Sequence, residues 1–433
     1  MLEPEEKTHP FSFSISKTME DLTRLVEELE TENNRKAAAD PLIKKSLGLV
    51  KEFMKNHRVM CYGGTAINNL LPPEYRFYNP ELVIPDYDFF SETPQEHAMI
   101  LANQLAGVGI ESVEVKPGMH LGTYKVFANY EGVADITQMD TELFRRLWKE
   151  KVVVEGIHYV TPNFLRMSMY LELSRPRGDV SRWTKVYTRL QLLNDHYPLS
   201  CPGVDAEDDA ELDEAKRAEV QMILKKYPVV LLGISASQAI HEKKRPRWTA
   251  PVTLLADPEV AEKLAKRAKK VERYEGSEVL PSHMDILDAN GKVFLRIHET
   301  NACHSYHEMK SGIRVASIPT MLQFVFAYMY ADVAEAEITH LMCVSQRLVD
   351  LASKKSDRRF ALLTPKTCIG KQETLVDMKK HKAELYKELS KDKSSVDFLR
   401  YFFSYDPHAS VTERKKARNQ LRKTRSRRLK SES

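Results

Sequence analysis

VMCYGGTAINNLLPPEYRFYNPELVIPDYDFFS, residues Val59–Ser91, is the stretch whose reading decides the fold. Arg58–Tyr62 has the length and apolarity of a short buried strand, Gly63-Gly64 makes a sharp exit from it, and Thr65–Leu71 reads as the first turns of a helix. Two glycines let the backbone take dihedrals closed to other residues and let an anion approach with no Cβ in the way, while the free N–H groups of the helix start point at it. Beyond a loop carrying Pro72, Pro73, Pro80 and Pro85 comes Asp86-Tyr87-Asp88-Phe89-Phe90. In a strand, residues i and i+2 face one side, so Asp86 and Asp88 project together while Tyr87 and Phe89 enter a core. Two carboxylates on one face repel unless a cation lies between them, and oxygen-only ligation suits magnesium, manganese or calcium rather than zinc.

Neither half is decisive alone. A Gly-Gly turn commonly does no more than join two elements, and strand ends often carry two acids facing water. The order is what counts, because a third acid, Asp135, stands alone in the apolar run Gly132-Val133-Ala134-Asp135-Ile136. A lone carboxylate in such a strand is costly to bury unless it is paired or bound to a metal. Asp86, Asp88 and Asp135 are therefore the candidate catalytic and metal-holding residues, and Gly63, Gly64 and Thr65 the candidate nucleotide-binding turn.

A strand, Gly-Gly, a helix, Asp-x-Asp and a later single Asp resembles the active site of the nucleotidyltransferase superfamily. The wording YGGTAIN with PDYDFF is similar to the poly(A) polymerase catalytic subunits of large cytoplasmic DNA viruses, of the poxvirus and giant-virus type. The resemblance covers roughly residues 40 to 400; it implies an α+β fold built on mixed sheets, ATP and an RNA 3′ end as substrates, and two divalent ions, Mg2+ or Mn2+, as cofactors. It also implies a basic residue that contacts phosphate beyond the third Asp. Arg182, Lys185 and Arg189 recur at three- and four-residue spacing and so share a helix face; Lys185 is the one assigned to the triphosphate, against the plainer reading of a solvated face. Poxvirus relatives work with a processivity subunit and some giant-virus relatives as homodimers, so one of these two arrangements is implied. The places of work that follow are the host cytoplasm with its viral factory, and the virion. One departure from compact superfamily members is the 21-residue gap between Gly64 and Asp86, which bears on the shape of the substrate mouth.

At 433 residues and 42% apolar content, the chain is expected to hold two or more domains with ordinary cores. The opening MLEPEEKTHPF is charged and lacks an apolar core, so no secretory leader is expected. The most apolar run, Ile318–Ala331, is too short to span a bilayer. The 5 cysteines are odd in number and form no CxxC pair, which points to a reducing compartment. Charge is uneven: Glu413–Ser433 holds ten Lys or Arg against two Glu, which leaves 55 basic against 59 acidic residues before it. That tail reads as a flexible arm in which Arg414, Lys415, Lys416, Arg418, Arg422, Lys423, Arg425, Arg427 and Arg428 neutralise RNA phosphates, although a solubilising or targeting tail has the same composition.

A second copy of the opening pattern follows. Tyr227–Ala236 echoes the Gly-Gly segment, Pro251–Leu255 echoes Pro85–Phe89, and Gly312–Pro319 echoes Gly156–Pro162. Taken position by position, Val252 and Leu254 replace the two aspartates and Arg296 stands where Asp135 would lie, so the copy is degenerate. The expected organisation is an N-terminal helical segment at 1–40, with Leu22, Leu25, Val26 and Leu29 docking it. After it come a catalytic domain at 41–205, an acidic linker at 206–225, a degenerate copy with C-terminal helices at 226–405, and the tail at 413–433. The function expected is template-independent addition of AMP from ATP to the 3′ end of viral mRNA. Two alternatives stay open: transfer to a small-molecule or protein hydroxyl, and a non-catalytic RNA-binding protein on the same fold.

Overall fold

The computed structural model describes residues 11–79, 81, 84–201, 211–241, 248–331, 335–353 and 364–431. Two N-terminal helices, α1 (Phe11–Ala39) and α2 (Pro41–Asn56), lead into β1 (Met60–Cys61) and α3 (Gly63–Leu70). The chain continues through β2 (Asp88–Ser91), α4 (Pro94–Gly107), β3 (Val113–Pro117), β4 (Thr123–Ala128), β5 (Glu131–Gln138) and α5 (Thr141–Glu150). A hairpin of β6 (Val152–Val154) and β7 (Ile157–Tyr159), then α6 (Pro162–Leu173) and α7 (Trp183–His196), completes the first unit.

The second unit repeats that plan. It runs α8 (Glu214–Lys226), β8 (Val230–Leu232), α9 (Gly233–His241), β9 (Val252–Ala256), α10 (Pro258–Ala265), β10 (Val271–Tyr274), β11 (His283–Leu287) and β12 (Val293–Glu299). The hairpin of β13 (His304–Glu308) and β14 (Arg314–Ala316), and then α11 (Ile318–Met329) and α12 (Glu335–Ser353), follow. Last come β15 (Cys368–Ile369), α13 (Leu375–Leu389), α14 (Val396–Phe402) and α15 (Val411–Ser431).

Among the described residues the first sheet has the order β3-β4-β5-β2-β1-β7-β6 and the second β10-β11-β12-β9-β8-β14-β13-β15. Strand for strand, β3 to β7 answer to β10 to β14, and β1 and β2 to β8 and β9, with β15 the one added strand; the duplication read from three short echoes is thus the plan of the two sheets. The copies meet through equivalent helices: Tyr170 on α6 stacks near Phe326 on α11 at 6.1 Å between ring centroids, and the hydroxyls of Thr161 and Tyr330 are 2.6 Å apart. The apolar run Ile318–Ala331 is spent on this contact, α11 being buried along nearly its whole length. No helix among the described residues is long and apolar enough to cross a membrane.

Five expectations change. Leu22, Leu25, Val26 and Leu29 do not dock α1: each is about half exposed, at 49% to 50%, the helix meeting α2 where Ala38 is buried. The acidic linker is shorter than expected, since Asp213 caps α8 by accepting from Lys216 N and the helix then belongs to the second unit; residues 202–210 lie outside the described residues. The C-terminal helices leave the second copy and return to the first: Tyr405 exchanges backbone hydrogen bonds with Val115 on the outer edge of β3, at 2.8 and 3.1 Å, and Tyr405 Oη donates to Asn103 Oδ1 at 2.8 Å. That closes an open sheet edge. The tail, expected as a flexible arm, is helical, because Ser410 and Glu413 form a reciprocal capping box, the residues behind it are strong helix formers, and Leu421 is buried. Finally, four of the five cysteines are paired, Cys201 with Cys343 and Cys303 with Cys368, leaving Cys61 free and buried. Partners 142 and 65 residues apart in sequence have Cα atoms 4.4 and 5.3 Å apart, a proximity that spacing along the chain does not reveal and that runs against the reduced thiols expected.

Candidate active site

The site is made where β1 ends and β2 and β5 lie side by side. Parallel pairing sets Asp88 directly opposite Asp135, so both carboxylates leave the same face of the sheet. Asp86 lies two residues before β2, its carboxylate beside those of Asp88 and Asp135, while Tyr87 and Phe89 are buried beneath. One ligand oxygen from each of Asp86, Asp88 and Asp135 lies within 4.8 Å of the others, and this trio is the one cluster of its kind among the described residues. Such a spacing suits a shared hard cation.

The electrostatics say the same. Burial, then the neighbouring charges of Asp86 and Asp135, push Asp88 up to about 7, with Lys125 and Arg182 pulling the other way. Asp86 is raised by burial and by Asp135. Lys125, opposite Asp135 in the β4–β5 pairing, is bonded to its carboxylate; burial works against the lysine's charge, yet that bond and the field of all three acids raise it. A single lysine leaves excess negative charge that like-charge repulsion resists. The donor set, carboxylate oxygens alone, suits a hard divalent cation such as Mg2+, Mn2+ or Ca2+ better than zinc.

Gly63 holds the turn above this cluster at φ +71°, and a Cβ there would come within 2.8 Å of Asp88 Oδ2. The Gly-Gly turn is thus already the first turn of α3, its N–H groups beside the carboxylates. A Cβ on Gly64 would meet Tyr78 Oη at 2.4 Å and Arg189 Nη1 at 2.7 Å. Tyr78 arrives there through the long Gly64–Asp86 connection, which Asn68 ties down by accepting from Phe77 N and Tyr78 N at 2.9 Å each. Arg189 stacks over the Phe77 ring at 4.4 Å and donates to Tyr78 Oη at 3.1 Å. The long connection therefore walls one side of the turn.

Two assignments shift. Thr65 is buried and its hydroxyl donates to the Asp86 carbonyl at 2.7 Å, so it positions an acid instead of offering its hydroxyl to a phosphate. Lys185 is exposed on α7, lowered by partial burial and by Arg189 and Arg182, and it is Arg189 on that face that reaches the Gly64 turn. The helical spacing of Arg182, Lys185 and Arg189 was the available signal for it. On α15, Lys415, Lys416, Arg418 and Arg422 are exposed and Arg414 is half-buried, whereas the side chains of Lys423, Arg425, Arg427 and Arg428 lie outside the described residues.

Register also corrects the degenerate copy. Leu231 pairs with Leu254 as Cys61 does with Phe89, which puts Pro251 and Thr253 at the places of Asp86 and Asp88; Val252 and Leu254 answer to the buried Tyr87 and Phe89. A slip of one residue exchanges the two faces of a strand. Arg296 does sit where Asp135 would: it pairs with Thr253 as Asp135 pairs with Asp88. The cross-strand ion pair survives with its charges exchanged, since Arg296 Nε and Nη2 each donate to buried Asp285 at 2.8 Å in the position of Lys125 and Asp135.

Fold and site together define a duplicated mixed α/β domain, one copy carrying three clustered acids and one without them. Within it, residues 48–179 match the family model for the poly(A) polymerase catalytic subunit. A candidate poly(A) polymerase catalytic subunit of Acanthamoeba polyphaga mimivirus is 30% identical over 155 residues, 35% of this chain and 26% of that protein. One from African swine fever virus (isolate Pig/Kenya/KEN-50/1950) is 29% identical over 163 residues, 36% of this chain and 34% of that protein. The matched stretch thus spans a quarter to a third of the length of these relatives. The crystal structure of the Megavirus polyadenylate synthase shares the fold, with a TM-score of 0.76 at 16% identity, over 98% of this chain and 92% of that one.

Proposed function

We propose that this chain adds AMP from ATP, without a template, to the 3′ end of viral mRNA. The observation that carries the reading is the convergence of Asp86, Asp88 and Asp135 within 4.8 Å beside a helix start whose first residue lacks a Cβ. The backbone N–H groups of Gly63 and Gly64 receive the β and γ phosphates. Arg189 and Lys185 neutralise the same triphosphate from α7, Arg189 by a planar fork already held on Phe77. Asp86, Asp88 and Asp135 would hold two Mg2+ or Mn2+ ions, which when bound lower the pKa of the attacking hydroxyl and offset charge on the departing pyrophosphate. The O3′–Pα bond forms as the bond from Pα to the α,β-bridging oxygen of ATP breaks, that oxygen leaving as a terminal oxygen of pyrophosphate and the hydroxyl proton passing to solvent. Thr65 fixes the Asp86 backbone, and Lys125 keeps Asp135 turned into the cluster.

The second copy, with Pro251, Thr253 and Arg296 at the acid positions, serves as scaffold for the first. The basic face of α15 supplies phosphate contacts to RNA. A homodimer fits the exposed stripe of Leu22, Leu25, Val26 and Leu29, and gel filtration with light scattering decides between dimer and monomer. Transfer to a small hydroxyl compound uses the same acids but leaves the duplicated domain and basic helix without a purpose. The deciding experiment is extension of a short RNA by purified protein with each nucleoside triphosphate offered singly, with and without Mg2+ or Mn2+. ATP-dependent tails that vanish in Asp86→Asn, Asp88→Asn and Asp135→Asn are expected; near-normal tailing by any of the three overturns the reading.

A further inference from the structure

We propose that the second copy keeps a ligand pocket where the first keeps its carboxylates, and that this pocket takes an uncharged planar heteroaromatic ring, a nucleobase, without acting on it. A cavity of about 340 Å³ is lined by Gly233, Thr253 and Arg296, the register equivalents of Gly63, Asp88 and Asp135. Small-molecule sites occupy roughly 300–1,000 Å³ and are mainly apolar with a few placed polar groups. Charge excludes the ligand of the first copy. The Arg296 cation is answered by Asp285, and Glu337 adds a carboxylate to the wall, so no net positive charge remains for a triphosphate. What remains suits a neutral ring: the faces of Phe324 and Leu341, and the His340 imidazole, whose Nδ1 and Nε2 are both shut from water and without a partner. An imidazole so placed presents a buried ring nitrogen with no partner, and a nucleobase edge, which carries both donors and acceptors, can meet it.

The choice of nucleobase rests on the proposed function, under which adenine rings reach this protein as free nucleoside or as bases of the RNA tail. The full chain carrying Asp88→Asn, in EDTA, silences the first site and is titrated calorimetrically with adenosine and, separately, with a short oligo(A). Adenosine is expected to bind one to one. His340→Leu should weaken binding about tenfold, the loss of one hydrogen bond, and Leu341→Trp, which places a larger side chain in the lining, should abolish it. Both variants, with Asp88 restored, should still extend RNA. Binding of oligo(A) but not adenosine, with the same sensitivity to His340→Leu, assigns the ring to the tail and supports the pocket equally. If Leu341→Trp melts early, His340→Asn and saturation transfer between adenosine and the His340 ring protons decide in its place. Binding by neither probe, or binding that none of these variants alters, overturns the proposal. Failure of wild-type tailing sinks the proposed function and leaves this titration standing.

Discussion

Gly63→Ala offers a sharp test because the second copy contains its own control. Gly63 and Gly233 hold the same turn at φ +71° and +72°, a region that costs an L residue about 1–2 kcal/mol. That strain should be common to both alanine variants and should lower their melting temperatures by a similar few degrees. The surroundings differ. A Cβ at position 63 comes within 2.8 Å of Asp88 Oδ2, closer than real Cβ contacts allow, whereas at position 233 the nearest atoms are Thr253 Cβ and Oγ1 at 3.5 Å, an ordinary contact. Gly63→Ala must therefore displace the Asp88 carboxylate, and misplacement of a reacting group by about 1 Å costs on the order of a hundredfold in rate. RNA extension at saturating ATP, measured beside thermal melting, should show Gly63→Ala down by about a hundredfold and Gly233→Ala within about twofold of wild type. Equal loss of extension in the two, or near-normal extension by Gly63→Ala, would refute the placement of Asp88 in the chemistry.

Titration of the acid cluster supplies a second prediction. Asp88, raised from the ordinary 3.8 to about 7, favours its protonated form in the folded state, so its contribution to stability is full below 3.8 and is lost as pH rises through about 7. In EDTA the melting temperature should fall from pH 5 to pH 8, Mn2+ or Mg2+ should reverse the fall, and divalent affinity measured calorimetrically should weaken steeply below pH 7; flat profiles would show that the cluster is not coupled. In the second copy, Arg296→Ala leaves Asp285, whose side chain is 2% exposed, without its partner, and should destabilise by about 3–5 kcal/mol in denaturant melts. The pairwise replacement Asp285→Leu with Arg296→Met should recover most of that loss, and equal damage by both would argue that the pair does more than satisfy itself. Replacing Arg414, Lys415, Lys416, Arg418 and Arg422 by Gln should reduce the slope of log K for single-stranded RNA against log salt by up to about 3.5, at about 0.7 per phosphate contact. An unchanged slope would remove α15 from the RNA path.

Much of this protein was legible in the order of its residues. Alternation in Asp86-Tyr87-Asp88-Phe89 named which side chains enter the core and which share the open face, because strand geometry depends only on period. Gly-Gly at a strand exit, the lone Asp135 and the repeated pattern after residue 226 were likewise local, and Arg296 was matched to Asp135 across 161 residues, a match the β9–β12 register reproduces. Other features depended on which strand lies beside which. Thr253 instead of Val252 at the Asp88 place follows from the β8–β9 register, a one-residue matter that apolar similarity cannot resolve. The return of Tyr405 to β3, the pairing of cysteines 142 residues apart, the engagement of the Thr65 hydroxyl by Asp86 and the choice of Arg189 at the Gly64 turn are set by packing. Sequence by itself determined the chemical groups and the elements that carry them, since propensity and periodicity act over a few neighbouring residues. Tertiary structure alone decided which groups touch, since distances between remote segments follow from burial and register across the whole chain.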